Sequence, residues 1–118
     1  MEKEYPAYRQ HLNELLLKLG KELPGPMSGF GQLHRQAVAD DALSTKMKEL
    51  IALGIGIAAR CDGCIAYHVH DALRAGATRK EIVETIGVAI MMGGGPAAMY
   101  GAQAFAALEQ FESKGVRQ

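Results

Sequence analysis

Apolar positions along this 118-residue chain recur with a helical period almost throughout. Leu12, Leu15, Leu16 and Leu19 stand three and four apart, which predicts an amphipathic helix from Pro6 to Leu19. Gly20 is placed to stop that helix, and Leu23-Pro24-Gly25-Pro26 to break the chain after it. A second helix is expected from about Met27 to Ala39, weakened by Gly29 and Gly31, with Asp40 and Asp41 at its end. Ser44 can cap a third helix, from Thr45 to about Ala59. Its second half is apolar all round, the pattern of a central, buried helix. Cys61 or Asp62 opens a fourth helix, which Gly76 closes. Thr78 and Glu81 have the spacing of a capping box for a fifth, from Arg79 to Met92. Gly93-Gly94-Gly95 reads as a tight turn with close backbone approach, and Pro96 suits the first turn of a sixth helix ending near Glu112. β-branched residues are scattered and aromatics are only 6%, so no strand is predicted. The expected fold class is all-α, a bundle of about six helices.

Composition narrows what such a bundle does. An apolar fraction of 48% is enough for a core, and the length predicts a single domain over residues 1–118. A chain this short is only modestly self-sufficient in burial, which makes oligomerisation plausible. Thirteen basic residues balance thirteen acidic ones, with no Lys/Arg run, which argues against nucleic acid or an anionic membrane as partner. The longest apolar run, Leu50 to Ala59, is too short to span a bilayer and contains two glycines. Met1-Glu2-Lys3-Glu4 is charged and has no apolar signal-like segment, so a cytoplasmic location is expected. In a reducing compartment, neighbouring cysteines are more often catalytic, redox-sensing or metal-binding than structural staples.

The chain's two cysteines are that close. Cys61-Asp62-Gly63-Cys64 is followed, four residues after Cys64, by His68. At 100° per residue, Cys61, Cys64 and His68 fall within roughly 60° of one another on one helix face. Ile65, Ala72 and Ala75 share that face, while His70 points to the more solvated side. A dithiol with an imidazole beside it can generate a thiolate and move a disulfide. Cys61, at a helix N-terminus, gains from unpaired N–H groups and the dipole; Cys64, one turn from His68, is better placed for proton transfer. Spacing alone does not decide which attacks. Two structural cysteines are the plainest competing reading. A zinc site would need a fourth ligand that the Cys-x-x-Cys-x-x-x-His pattern does not supply.

Glu49 is the last acidic residue before the apolar half of the third helix and shares a face with Ala52, Leu53 and Gly56. A half-buried carboxylate there calls for a partner; beside Lys46 and Lys48 it could equally be a solvated turn residue. Counted from a turn near Arg60, Glu49 lies deeper along its helix than His68 does along the next. Their meeting requires a steep crossing, an early end to the third helix, or a bridging water. His11 and His34 read as ordinary surface or interface residues. Met91, Met92 and Met99 read as core or subunit contacts, and Tyr67 and Tyr100 as possible donors near the site.

Glu49, the Cys61-x-x-Cys64-x-x-x-His68 run, Ala-Gly-Ala-Thr at 75–78 and Gly-Gly-Gly-Pro at 93–96 together resemble the carboxymuconolactone decarboxylase superfamily, and within it the alkylhydroperoxidase AhpD-like branch. The resemblance runs from about Leu43 to Leu108. It implies an all-helical AhpD-like fold assembled as a homotrimer or homohexamer. It also implies a peroxidase or disulfide-reductase activity, with Glu49 and His68 as proton relay, Cys64 activated and Cys61 completing the disulfide. The substrate would be a hydroperoxide or a disulfide, the reductant a dithiol protein or small molecule, and no cofactor or metal would be needed. Two departures stand out. The alkylhydroperoxidase carries a histidine between its cysteines where this chain has Gly63, which leaves a shared proton relay impaired or completed by another subunit. It is also built from two related helical halves, where this chain has room for one. The classical decarboxylase branch is not characterised by a redox cysteine pair, which argues against decarboxylation here; the second reading is a decarboxylase-type enzyme acting on a small carboxylated substrate through Glu49 and His68, with the cysteines incidental. A non-enzymatic, oligomeric redox sensor is the third possibility.

Overall fold

The computed structural model describes residues 3–117 as six helices in chain order, with no strand among them. They are α1 (Tyr5–Glu22), α2 (Pro24–Val38), α3 (Thr45–Ala58), α4 (Asp62–Arg74), α5 (Arg79–Gly93) and α6 (Gly95–Ser113). Met1 and Glu2, half of the charged N-terminal segment, and Gln118 lie outside the described residues. No helix among the described residues is long and apolar enough to cross a membrane.

The first two helices depart from the sequence pattern. Gly20 does not stop α1, which runs on to Glu22. A stopping glycine adopts positive φ, and Gly20 does not; in a helix interior it costs only about 1 kcal/mol. The expected break shrinks to one residue, Leu23, and Pro24 and Pro26 fall in the first turn of α2. Proline fits there because first-turn N–H groups have no helical partner in any case. The leucine stripe of α1 stays largely exposed, and α2 buries no residue at all.

The later boundaries follow the sequence closely. The Ser44 hydroxyl accepts the Met47 N–H at 3.1 Å and opens α3. Thr78 and Glu81 cap α5 reciprocally, the Glu81 N–H donating to Thr78 at 3.1 Å and the Thr78 N–H to Glu81 at 2.8 Å. Gly94, with φ 70°, alone separates α5 from α6. A side chain at Gly93 would bring its Cβ within 2.6 Å of Ala97 Cβ, so the turn needs glycine there.

The core lies where α3, α4, α5 and α6 meet, around Leu53, Ile57, Ile65, Val69, Ile82, Leu108 and Phe111. Tyr5 pins α1 to this core: its ring is buried, its hydroxyl donates to Gln103 at 2.9 Å, and its N–H donates to Gln110 at 2.7 Å. α3 is not buried all round as its composition suggests. Leu50, Leu53, Gly56 and Ile57 face inward, while Ile51 and Ile55 are exposed. Met91, Met92 and Met99 are exposed too, and so are not core residues.

Candidate active site

The end of α3 sets up the site. Arg60 N–H donates to Ile57 O (3.1 Å) and Cys61 N–H to Gly56 O (3.0 Å), the paired bonds of a Schellman turn. Arg60 occupies the left-handed position, φ 59°, that glycine usually fills. The turn delivers Cys61 as the N-cap of α4, where its sulfur accepts the Cys64 N–H at 3.1 Å. Cys61 and Cys64 are joined as a disulfide, with Cα atoms 5.1 Å apart. Asp62 adds negative charge to the same helix end and pairs with Lys3 Nζ at 3.0 Å.

Beneath this end, α3 and α4 touch closely. A Cβ on Gly56 would lie 2.8 Å from Cys64 Cβ. Further along both helices, His68 Nδ1 lies 2.7 Å from Glu49 Oε1. The depth mismatch between these two residues therefore needs no bridging water; the two side chains span it. Glu49 is only 3% exposed and is the one buried charged residue among those described. A carboxylate accepts, so Nδ1 carries the hydrogen and Nε2 is the nitrogen left for exchange.

Cys61, Cys64 and His68 open onto one cavity of about 530 Å³ between α1, α2 and α4. Leu12, Leu16 and Phe30 form its apolar wall. Arg9, Tyr67 and Asp71 also line it. The Tyr67 hydroxyl is bonded to Asn13, and burial pushes the phenol above its ordinary range, against the opposing pull of the Arg9 guanidinium. Tyr100 instead packs against the core and is not part of the cavity wall.

Two histidines sit differently from their sequence reading. His70 is half-buried, not solvated: its Nδ1 lies 2.8 Å from Asp71, and its ring meets Phe111 edge-on at 5.5 Å. His34 is exposed, as a surface residue should be, but it is also drawn into the site. It lines the cavity, and its ring lies 6.4 Å from that of His68 at an interplanar angle of 30°. His34, Glu49 and Asp71 bring ligand-type atoms within 4.8 Å of one another, the one such group among the described residues. Glu49 is already engaged by His68, and Asp71 by His70. Helical spacing on α4 could not reveal His34 or Arg9, because packing of α1 and α2 brings them in.

The family model for carboxymuconolactone decarboxylases matches residues 24–109. The chain belongs to the carboxymuconolactone decarboxylase family. Among curated relatives of this family member, the uncharacterized protein H16_B0147 of Cupriavidus necator is 39% identical over 95 residues, covering 80% of this chain and 84% of that protein. Uncharacterized protein 4 in the cox locus of Paracoccus denitrificans is 37% identical over 83 residues, covering 70% and 75%. The crystal structure of apo-lpg0406, a carboxymuconolactone decarboxylase family protein of Legionella pneumophila, superposes with a TM-score of 0.87 at 42% identity, covering 91% of this chain and 96% of that one. Thermotoga maritima TM1620, a family member linked, as a possibility, to an antioxidative response, superposes with a TM-score of 0.75 at 30% identity, covering 96% of both chains. The family match takes in every residue of the site contributed by α2, α3 and α4; Arg9 and the α1 wall lie outside it.

Proposed function

We propose that this protein is a thiol-dependent oxidoreductase of the alkylhydroperoxidase and disulfide-reductase type. The observation that carries the reading is the 2.7 Å contact from buried Glu49 on α3 to His68, which stands on the helix whose N-terminus holds Cys61 and Cys64. In the reduced protein, His68 takes the Cys64 proton through Nε2 while Glu49 holds the ring and balances the imidazolium charge. The Cys64 thiolate attacks the terminal oxygen of a hydroperoxide. The S–O bond forms, the O–O bond breaks, and the departing alkoxide takes a proton from His68. Cys61 then attacks the Cys64 sulfenic acid, an S–S bond forms, and water leaves. A dithiol donor reduces the disulfide through a mixed disulfide and is itself oxidised to one. The sum is hydroperoxide plus dithiol giving alcohol, water and a disulfide. A partner disulfide in place of the peroxide would enter by the same thiolate attack.

The residue set also accounts for the two sulfurs having unlike surroundings. Cys61 is held at a helix N-terminus by a backbone N–H, which favours it as a leaving and resolving thiolate. Cys64 sits against Gly56 and one turn from the relay histidine. The test is peroxide consumption with dithiothreitol as donor, run beside a count of free thiols before and after peroxide. Two thiols per chain should disappear on oxidation, and Cys61→Ser or Cys64→Ser should reduce turnover to background. Unchanged turnover in either variant would sink the assignment.

A further inference from the structure

The alkylhydroperoxidase pattern has an imidazole between its cysteines, and here that slot is Gly63. A second imidazole nevertheless reaches the site from another helix. We propose that His34 is the outer member of the proton relay, carrying protons between the buried Glu49–His68 pair and the solvent in the cavity. This rests on the thiol redox reading above.

Three observations support it. His34 is exposed at the cavity, whereas Glu49 is 3% exposed and the His68 side chain 18%. A ring nitrogen of His34 lies within 4.8 Å of a Glu49 carboxylate oxygen, a gap that one water spans with two hydrogen bonds. His34 has no side-chain hydrogen bond or ion pair to any described residue, so both ring nitrogens are free to exchange.

The chemistry needs such a carrier. The thiol loses its proton before peroxide arrives, and the alkoxide gains one only after the O–O bond breaks. In the steps proposed above, the Cys64 proton passes through His68 to the alkoxide, which leaves His68 neutral. When the dithiol donor reduces the disulfide, a proton must return to a pair that is largely closed to water, and His34 passes it in, because imidazole exchanges protons near neutral pH. The charged and titratable groups facing it across the cavity are Arg9 from α1, Arg35 from its own helix, Glu49 from α3, Tyr67, His68 and Asp71 from α4, and in the reduced protein the Cys61 and Cys64 thiols at the start of α4.

The experiment compares wild type with His34→Gln and His34→Phe in two measurements. One is peroxide turnover with dithiothreitol from about pH 5 to about pH 9, with and without added imidazole. The other is the pH dependence of iodoacetamide alkylation of the reduced protein, which needs no peroxide. The expected result is a fall in turnover of about tenfold or more in both variants, an altered pH profile, and partial restoration of His34→Gln by imidazole. The alkylation profile should move with it. Turnover and profiles matching wild type would overturn the proposal. So would a loss with an unmoved profile and no imidazole rescue, which marks a merely structural role. Absence of peroxide turnover in the wild type would overturn the redox reading instead, and an alkylation profile unmoved in His34→Gln would then overturn the role of His34 as well.

Discussion

Glu49 and His68 depend on each other. A carboxylate withdrawn from water to 3% exposure is tolerated only with a partner, and His68 supplies it at 2.7 Å. Glu49→Gln keeps the shape and one acceptor for the His68 N–H but removes the charge that steadies an imidazolium. The fold should survive, with a stability loss of about 1–3 kcal/mol by chemical denaturation. Peroxide turnover should fall by about a hundredfold or more. A Glu49→Gln variant with wild-type turnover would remove the relay from the mechanism. Cys61, Cys64 and His68 were legible in the sequence because they share one helix face, whereas Glu49 stood level with a solvated turn residue on spacing alone and entered as their partner only through the family resemblance. The actual contact of Glu49 with His68 was less legible: the depth argument made it look strained, since it ignored how far two long side chains reach. His34 was not legible. It lies 34 residues from His68, and nothing in local periodicity says which way the unburied helix α2 turns.

The ends of the helices place this centre, and two of them are testable. α3 and α4 close with the same Schellman turn, but α4 uses Gly76 at φ 97° where α3 uses Arg60 at φ 59°. The left-handed conformation costs a non-glycine residue about 1–2 kcal/mol. Glycine returns about 0.5–1 kcal/mol of that through its greater freedom in the unfolded chain. Arg60→Gly should therefore stabilise the protein by up to about 1.5 kcal/mol, read as a higher melting temperature. A lower melting temperature would mean that the Arg60 side chain has a role of its own in the fold. The capping box of α5 makes a second case. The Thr78 backbone N–H, aided by Lys46, holds the Glu81 carboxyl below its ordinary value of 4.5, and the Thr45 N–H does the same for Asp40 below 3.8. Lowered folded values mean stability that is fully present above those pH values and lost as pH falls through the lower, folded ones. Melting temperature should thus decline as pH drops below 4.5, and Glu81→Gln should flatten that decline. An unaltered slope would show that the cap does not contribute. Caps were the most legible elements, because Ser44, Thr78, Glu81 and Gly76 act through short-range bonds. Gly20 and the Pro24–Pro26 stretch misled because glycine and proline are read as breaks, although each also has a place inside a helix or at its start.

At the scale of the whole molecule, the surface is more apolar than a lone chain requires. Ile55 is 64% exposed, Val88 58%, Met91 73% and Met92 76%. With Met47 and Ile51, the first two and Met92 line a groove of about 500 Å³ between α3 and α5, on elements other than the α1 and α2 walls of the site cavity. Scattered apolar residues on a surface mean little, but a continuous strip along two adjacent helices marks a contact site. We propose that a second copy of this chain covers it. The strip is apolar along both helices, and equal numbers of acidic and basic residues oppose no approach of a second copy. Such a contact would also give the outward-facing half of α3, with Ile51 and Ile55, an apolar surface to pack against. Light scattering should then give a multiple of the 12.7 kDa chain mass. Ile55→Asp and Val88→Asp, which place a charge in the groove without touching the cysteine helix, should shift the protein towards the single chain. If the wild type stays at 12.7 kDa at tens of micromolar, α3 and α5 expose this strip for some other partner and the self-association must be given up. If the variants dissociate yet keep peroxide turnover, each chain holds a complete site. If they dissociate and lose it while the fold survives, a neighbouring subunit supplies part of the cavity wall.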